Sequence, residues 1–446
     1  SSHFGSSRLH SRLVAIPQAP PISTVAGSMA QQPGVVIVGG GLSLMNYLEQ
    51  AVKTTSSITV VMGSGFLEWP MGAAYFLAKP EAHDEFLCVR PEKYQKPGVT
   101  YLVEVAKEVD PDRKVLICAS GRSIPYRALI VSTGFKIPLL YPTPGQTLAE
   151  RKEEVQRAGR AIREARKVVV SGGGSVGLEV AGDIRVQYPD KEVVILTRDG
   201  RVLGSSHPAK LQRRAADKLK SMRIDVVKGS VDAMNPILER GSLDVKDGDS
   251  SSIDFDVFLP AFQQGPNTDF LQRIPNMLNA RKQIQVNEFL QSKAHPEIFT
   301  IGQGDVDESF VGALKLTAMA SSVATNVAAF LAGRAMKAHK DTAASMTRPL
   351  TIKIGHGPGG YMWWDTEVMP LPAKCCSCCG LAGFPFCPPP CCWCCCKGSC
   401  ACCCGNCGGE CGGEAASRFY FHALMKMFPG KNGYAGMGEP PVQQTM

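Results

Sequence analysis

The segment that most constrains the fold of this chain lies at residues 167–183, where a β-branched run leads into a glycine-rich turn and the start of a helix. The run at residues 168–170 predicts a buried strand. The turn that follows carries Gly172, Gly174, Gly177 and then Glu179 in the spacing G-x-G-x-x-G-x-E. These glycines allow a tight turn, the approach of a pyrophosphate to the backbone, and close packing of the helix on its strand. Because a helix N-terminus also favours anions, the segment predicts a dinucleotide site. A second strand predicted at residues 192–196 lies at the distance that such a site requires.

Composition indicates a globular chain of more than one domain. The chain has 446 residues, of which 44% are hydrophobic and 20% charged. The net charge of +8 is dispersed, and its densest basic run, at residues 210–223, is interpreted as the solvated face of a helix. We therefore expect no nucleic-acid partner. No segment predicts a transmembrane helix, because the most apolar one, at residues 313–333, contains Lys315 and Asn326 and is interpreted as a buried helix.

A second strand and glycine turn occur earlier, at residues 35–41, where Val-Val-Ile-Val is followed by three glycines, including Gly39 and Gly41. The third glycine of the pattern is replaced by Leu44, which we expect to push the helix away from its strand. The next predicted strand, residues 58–62, ends in Met62 where an acidic residue would hold a ribose hydroxyl. Two expected dinucleotide contacts are therefore missing from this first site.

Two such units, 133 residues apart from Gly39 to Gly172, suggest a flavin domain into which a nicotinamide domain is inserted. The predicted strand that ends in Thr133-Gly134 would close the first half of the flavin domain. Residues 252–265 are interpreted as the return strand, and residues 298–302 as a late strand next to the flavin.

With these motifs in this order, the chain resembles the two-dinucleotide-fold flavoproteins, most nearly the apoptosis-inducing-factor-like group that includes ferroptosis suppressor protein and type II NADH dehydrogenases. The resemblance covers residues 35–350 and includes the segment Phe66-Leu-Glu-Trp-Pro70. It implies that electrons pass from NAD(P)H to bound FAD and then to a quinone-like acceptor. The implied nicotinamide site comprises Gly172, Gly174, Gly177 and Glu179, and the implied FAD site comprises Gly39, Gly41, Thr133, Gly134, Gly302 and Asp305.

The fold expected from this resemblance is α/β, of the FAD/NAD(P)-binding pyridine nucleotide-disulfide oxidoreductase type, with a cysteine-rich C-terminal segment. The predicted parts are an N-terminal extension or presequence at 1–33, a discontinuous FAD-type domain at 34–146 and 262–345, an NAD(P)-type domain at 147–261, and a C-terminal region at 346–446. We expect the C-terminal region to form a separate unit.

The late Gly-Asp of the family stands here as Gly302-Gln303-Gly304-Asp305. Either Gln303 replaces the aspartate, or two residues are inserted before Asp305. With Leu44 and Met62, up to three flavin contacts are altered, so two functions stay open. The chain is either an oxidoreductase that retains FAD, or a relative that has lost FAD and acts as a structural or nucleotide-sensing subunit.

Coenzyme choice and thiol chemistry depend on single residues. Arg198 follows the second strand of the nicotinamide unit, where an arginine accommodates the 2′-phosphate of NADP; the alternative is a solvated side chain beside Asp199. Cys88 and Cys118 form no C-x-x-C pair, so no disulfide-reductase couple is predicted.

The C-terminal region carries 16 of the 18 cysteines, all within residues 375–411. One interpretation is a metal site, with Cys376, Cys378, Cys404 and Cys407 as candidate ligands. Another is an acylated membrane anchor, and a third is a disulfide knot. We expect the tail to attach the protein peripherally to a membrane or to bind a protein complex.

The N-terminal residues bear on location. Residues 1–48 contain no acidic residue, and residues 1–28, which are rich in serine and carry Arg8 and Arg12, have features of a transit peptide. This favours a chloroplast or a mitochondrion, with the cytosolic face of a membrane as the alternative.

Overall fold

The two glycine turns follow strands that belong to two separate parallel sheets. The computed structural model describes residues 34–55, 57–68, 72–88, 96–204, 207, 209–305, 313–340 and 354–355. The strand before Gly39 lies in the first sheet and the strand before Gly172 in the second. The predicted α/β fold of the two-dinucleotide type is confirmed, and the cysteine-rich segment lies outside the described residues.

The elements of the described residues alternate between strands and helices. In chain order the strands are β1 (Gly34–Val38), β2 (Ile58–Met62), β3 (Leu67–Glu68), β4 (Leu87–Cys88), β5 (Val99–Val103), β6 (Ala106–Asp110), β7 (Val115–Cys118), β8 (Ser123–Val131), β9 (Lys167–Ser171), β10 (Glu192–Thr197), β11 (Ile224–Lys228), β12 (Gly241–Asp244), β13 (Ser252–Phe255), β14 (Val257–Pro260) and β15 (Ile298–Thr300). The α-helices are α1 (Leu42–Ala51), α2 (Ala73–Ala78), α3 (Leu148–Glu164), α4 (Ser175–Gln187), α5 (Ala209–Ser221) and α6 (Ala313–Leu331). Two short 3₁₀ helices span Pro80–Phe86 and Asp269–Leu271.

The parallel parts of the two sheets share one strand order. In the first sheet β5, β2, β1 and β8 are neighbours, and β15 pairs with β8 on its other side. In the second sheet the order is β11, β10, β9 and β14. Each glycine turn therefore leaves the strand at which the strand order reverses, which is where open α/β sheets bind ligands.

Buried β-branched and aliphatic runs explain the central strands. All residues of β2 and β14 are buried, as are residues 35–38 of β1 and residues 168–171 of β9. Strands covered by helices on both faces carry such continuous apolar runs. The antiparallel hairpin of β6 and β7 extends the first sheet from β8, and β12 pairs with β13 in a separate ribbon.

The helices after the two glycine turns pack differently. Helix α4 packs mainly against α2 and also lies against β9 and β10, whereas α1 packs chiefly against α6. Leu44 of α1 is fully buried in a cluster that includes Met319 and Val323 of α6. The leucine thus contributes to the core between two helices, and the displacement of α1 from its strand stays a prediction.

Two segments pack on the second sheet although the predicted boundaries assign them elsewhere. Helix α2 contacts α3 and α4, and its Phe76 and Leu77 are buried in the core of the second sheet. Ile354, from the C-terminal region predicted to form a separate unit, is buried in the same core. A Cβ added to Gly182 of α4 would lie 2.5 Å from the amide nitrogen of Gly355, so a side chain there would prevent this contact.

Other expected elements are present with changed bounds. The segment 252–265, expected as one return strand, contains the two strands β13 and β14, of which only β14 joins the second sheet. The apolar segment 313–333 forms α6, whose Lys315 and Asn326 are buried. None of the helices in the described part of the chain has the length and apolar character needed to cross a bilayer.

Candidate functional site

The glycine turn between β9 and α4 has no room for side chains at two of its glycines. Gly172 has a φ of +125°, and a Cβ there would lie 2.9 Å from the carbonyl oxygen of Ala261, which follows β14. A Cβ on Gly177 would overlap the carbonyl oxygen of Gly172. The helix can begin directly above its strand only because both positions are glycine.

Gly174 is open where the other two glycines are crowded. It is the N-cap of α4, no side chain caps the helix there, and no heavy atom lies within 4 Å of a Cβ added to it. The first turn of α4 contains no acidic residue. Free helix amides beside an open glycine form a cradle that fits a pyrophosphate.

Glu179 lies one turn into α4 and is partly exposed. Burial, together with the negative charges of Glu179 and Glu68, raises the pKa of Tyr141 to about 12. Glu179 therefore places a negative charge near the chain segment that enters α3. It is held by the same helix as Gly177, as the sequence predicts.

The carboxyl end of β10 carries polar groups of both charges. The Thr197 hydroxyl is buried and has no hydrogen-bond partner within the described residues. Arg198 is exposed, and no ion pair of its guanidinium occurs among the described residues. The carboxylate of Asp199 binds the Arg201 guanidinium, with distances of 3.1 Å to Nε and 3.0 Å to Nη2. Asp199 thus pairs with Arg201 and leaves Arg198 free of it.

The turn between β1 and α1 repeats this geometry. Gly39 has a φ of +125°, and a Cβ there would overlap the carbonyl oxygen of Ser132, which follows β8. Gly41 is the N-cap of α1 without a capping side chain, and a Cβ on it would meet no heavy atom within 4 Å. The first sheet therefore also carries a cradle that fits a pyrophosphate.

The first turn of α1 departs from that of α4. The amide of Leu44 donates to the carbonyl of Gly41 at 3.0 Å, three residues back, whereas the amide of Leu178 donates to Gly174 at 3.1 Å, four residues back. Beneath this turn, the hydroxyls of Ser43 and Ser132 are 2.5 Å apart and buried. The start of α1 is therefore tighter, and it is bonded to the end of β8 by a serine pair.

Met62 replaces the acidic residue expected at the end of β2. A Cβ on Gly40 would lie 3.1 Å from the Met62 methyl carbon and 3.0 Å from Leu67 Cδ2. Apolar side chains thus cover the glycine turn at the position of the missing carboxylate. A dinucleotide bound here would meet no carboxylate at the end of β2.

Thr133 and Gly134 follow β8 and are held by Asn267. The Thr133 hydroxyl donates to the Asn267 carbonyl at 2.7 Å, and the Asn267 side-chain amide donates to the Thr133 carbonyl at 3.0 Å. Gly134 has a φ of +68°, with no heavy atom within 4 Å of an added Cβ. Asn267 is a site residue that sequence reasoning missed, because it lies 134 residues away from Thr133.

The segment after β15 separates the roles of Gln303 and Asp305. Gln303 follows Gly302, is only 3% exposed, and its Oε1 has no hydrogen-bond partner among the described residues. Asp305 Oδ1 accepts a hydrogen bond from the amide of Val286 at 2.8 Å, and its own amide donates to Ile284 at 2.8 Å. The geometry favours replacement of the family's aspartate by Gln303, because the expected cofactor residue Asp305 uses its carboxylate to bind the backbone.

A buried ionic cluster, also missed by sequence reasoning, lies beside the entry to α3. Arg151, with no exposed side-chain surface, donates to Glu68 from Nε at 2.8 Å and from Nη2 at 2.7 Å. Glu68 also contacts His83 Nε2 at 2.7 Å, and Arg151 contacts Glu154 at 2.7 Å. Burial alone would raise the pKa of Glu68, but the hydrogen bonds from Arg151 and His83 outweigh it and lower the pKa. The cluster joins β3, the 3₁₀ helix after α2, and α3.

The candidate residues form two groups, each at the carboxyl edge of one sheet. Gly39, Gly41, Thr133, Gly134 and Gly302 follow strands β1, β8 and β15, which are neighbours in the first sheet. Gly172, Gly174, Gly177 and Arg198 follow β9 and β10 of the second sheet. In the first group, the glycine turn fits the phosphates of FAD, and the Gln303 side chain, which has no partner among the described residues, is an acceptor beside it. The end of β2 carries no carboxylate to bind the ribose. The second group fits a nicotinamide dinucleotide.

Among the cysteines, the structure describes the side chain of Cys118. Cys118 is buried and unpaired, and burial with the charge of Glu104 raises its pKa to about 11. Cys376, Cys378, Cys404 and Cys407, the predicted metal ligands, lie outside the described residues. Within the part of the chain that is described, no three His, Cys, Asp or Glu side chains are placed to hold a metal ion.

Comparison with known proteins finds relatives that align with most of the chain or with more than half of it. Among curated proteins, the chain is 28% identical over 263 residues to FAD-dependent oxidoreductase FVFD30 of Flammulina velutipes, covering 57% of this chain and 78% of the relative. It is 23% identical over 364 residues to Ferroptosis suppressor protein 1 of Xenopus laevis, covering 75% and 91%. Apoptosis-inducing factor 1 of Saccharomyces cerevisiae is 23% identical over 346 residues, with 73% and 86% covered. The predicted resemblance to this group is confirmed.

A solved structure shares the fold. The sulfide:quinone oxidoreductase of Aquifex aeolicus superposes with a TM-score of 0.55 at 17% identity, covering 68% of this chain and 77% of that chain. The model of the family described as pyridine nucleotide-disulphide oxidoreductase matches residues 33–324, which include both glycine turns and β15. The chain therefore belongs to the pyridine nucleotide-disulphide oxidoreductase family.

Proposed function

We propose that this chain is an FAD-dependent NAD(P)H oxidoreductase that passes electrons to a quinone-like acceptor. The observation that carries the proposal is the pair of equivalent phosphate cradles, Gly39 to Gly41 and Gly172 to Gly174. Each has a glycine at a φ of +125° and an uncapped helix N-terminus next to an open glycine. Two dinucleotide cradles in one chain suit an enzyme that binds both a nicotinamide coenzyme and a flavin.

In the second sheet, the chain binds and orients the nicotinamide coenzyme. The amides at the start of α4 hold the pyrophosphate, and Gly172 and Gly177 keep those amides above β9. Glu179 projects from the same helix toward the region of Tyr141. These groups position the coenzyme.

In the first sheet, the chain holds FAD, which when bound supplies the two-electron chemistry. The amides at the start of α1 bind its pyrophosphate. Thr133 and Gly134, fixed by Asn267, and Gln303 after Gly302 line the same carboxyl edge. Gln303 takes the position of the family's aspartate, so its unpartnered Oε1 becomes a hydrogen-bond acceptor for a flavin hydroxyl.

The quinone-like acceptor is proposed from relatives. Ferroptosis suppressor protein 1 is among the relatives in sequence, and a sulfide:quinone oxidoreductase shares the fold. We propose further that residues 34–146 with 262–345 form the FAD-type domain, and residues 147–261 the NAD(P)-type domain. The cysteine-rich tail would attach the enzyme peripherally to a membrane, or to a protein complex.

The test uses the purified full-length chain under anaerobic conditions. We expect a visible flavin spectrum that bleaches on addition of NADPH or NADH and returns on addition of a water-soluble quinone. The variant Gly174→Val, whose side chain fills the second cradle, should keep the flavin spectrum and lose the bleaching. A protein that binds flavin and nicotinamide and shows no bleaching would contradict the proposal.

A second function is favoured by the altered first site. Met62 and Leu67 cover the first glycine turn, and Met62 stands where a carboxylate that binds the ribose is expected. A chain that binds a nicotinamide nucleotide without FAD would act as a structural or nucleotide-sensing subunit. Purified protein without flavin, whose melting temperature still rises with NADPH, would support this alternative.

A further inference from the structure

The carboxyl edge of the second sheet brings together two basic residues that are distant in sequence. Strands β10 and β11 pair in parallel with Thr197 opposite Lys228. Arg198 follows Thr197 directly, and Gly200 closes the turn, with a φ of +70° and an added Cβ only 3.3 Å from Lys228 Cβ. Arg198 and Lys228 therefore flank one short turn at this edge.

This turn lies against the phosphate cradle. The amide of Leu203 donates to the carbonyl of Gly173 at 2.7 Å, and a Cβ on Gly173 would lie 3.1 Å from the Arg201 carbonyl oxygen. The methyl group of Thr197 would lie 2.7 Å from the same Cβ. A dinucleotide whose pyrophosphate occupies the cradle has its adenosine ribose at the end of the neighbouring strand, which is β10.

The acidic residue of this turn is already engaged. Asp199 accepts hydrogen bonds from the Arg201 amide at 3.2 Å and from Arg201 Nε at 3.1 Å. The Arg201 guanidinium thus partly offsets the negative charge of Asp199 at the ribose edge.

The cations at this edge are exposed and unpaired. Arg198 and Lys228 are both exposed, and neither forms an ion pair with another described residue. The buried hydroxyl of Thr197, 5% exposed, lacks a partner within the same described part of the chain. A phosphate monoester carries nearly two negative charges and several acceptor oxygens, which an arginine fork and a lysine ammonium satisfy together.

We propose that the nicotinamide site selects NADPH, with Arg198 and Lys228 binding the 2′-phosphate of its adenosine ribose. The inference rests on the proposed nicotinamide site and adds its substrate class. Lys228 is the residue that no motif indicates, because it is brought to the site by the pairing of β10 with β11. Arg198 supplies planar, bidentate recognition and Lys228 a second charge.

The test compares adenosine 2′,5′-bisphosphate with adenosine 5′-monophosphate by isothermal titration calorimetry on the full-length protein. We expect the bisphosphate to bind at least tenfold more tightly, a difference of about 1.4 kcal/mol. In Arg198→Gln and in Lys228→Gln this ratio should fall, and in the double variant it should approach one. Lys220→Gln is the matched control, because exposed Lys220 ends α5 at the opposite, amino edge of the sheet.

The outcomes separate this inference from the proposed function. Equal affinity of the native chain for the two probes would refute phosphate selection while leaving the nicotinamide site in place. Failure of both probes to bind would refute the nicotinamide site itself. If the affinity ratio of the two probes falls in Arg198→Gln and stays unchanged in Lys228→Gln, Lys228 does not bind the 2′-phosphate. If the ratio also falls in Lys220→Gln, the preference for the bisphosphate reflects the overall positive charge and not a specific site.

Discussion

Substitution of Glu68 by glutamine tests whether the buried ionic cluster holds β3 and α3 together. The Arg151 guanidinium is fully buried, donates twice to Glu68, and also donates to the Leu139 carbonyl at 2.8 Å. Glu68→Gln retains the shape and one acceptor oxygen, and leaves Arg151 with Glu154 as its sole anionic partner among the described residues. Breaking a buried ion pair costs about 3–5 kcal/mol. Because Glu154 persists, we expect the lower value, about 3 kcal/mol.

The melting temperature measured by circular dichroism should therefore fall by about 6 °C in Glu68→Gln, since 1 kcal/mol shifts a unit of this size by about 2 °C. The exposed pair of Lys152 and Asp84, at 2.7 Å, provides the matched control. Asp84→Asn should change stability by less than about 1 kcal/mol, because solvent screens that pair. Equal melting temperatures for the native chain and Glu68→Gln would refute the reasoning.

Three further predictions concern the same described residues. The pKa of Glu68 lies below its ordinary value of 4.5. The ionised Glu68 therefore stabilises the fold above pH 4.5, and this stabilisation is lost as the pH falls through the lowered pKa. The difference in melting temperature between the native chain and Glu68→Gln should shrink in acid, and a difference that is constant with pH would contradict this. Gly177→Ala should lower the free energy of unfolding, measured by chemical denaturation, by about 1–3 kcal/mol, because its Cβ overlaps a carbonyl oxygen. Gly174→Ala, whose Cβ position is open, should lower the free energy of unfolding less and should weaken nucleotide binding. Gln303→Asp should raise FAD affinity about tenfold in titrations of flavin-free protein, since a charged acceptor strengthens a hydrogen bond, and unchanged affinity would show that residue 303 does not face the flavin.

Local patterns were sufficient to predict the two glycine turns and the strands before them. The valine run of β9 and the spacing of Gly172, Gly174 and Gly177 predict both the turn and the helix, because Gly172 takes a positive φ and Gly177 must pass the carbonyl oxygen of Gly172 five residues before it. The choice between Gln303 and Asp305 was not predictable, because it depends on a hydrogen bond from Val286.

Contacts between distant segments account for what sequence reasoning missed. Asn267 reaches Thr133, and Arg151 reaches Glu68, through chain folding that no motif records. Lys228 joins Arg198 through strand pairing. The predicted domain boundaries also treat α2 as part of the first domain, whereas its buried side chains pack on the second sheet. Apolar residues that cover a neighbouring sheet look identical in sequence to those that cover their own.

The contact between Gly182 and Gly355 limits how far the cysteine-rich segment can lie from α4. Ile354 is buried in the same core as α4, and the first residue of the cysteine run, Cys375, lies 20 residues beyond Gly355. A fully extended chain of that length spans at most about 70 Å. A partner that binds Cys375, as proposed for the cysteine-rich tail, would therefore lie within that distance of α4.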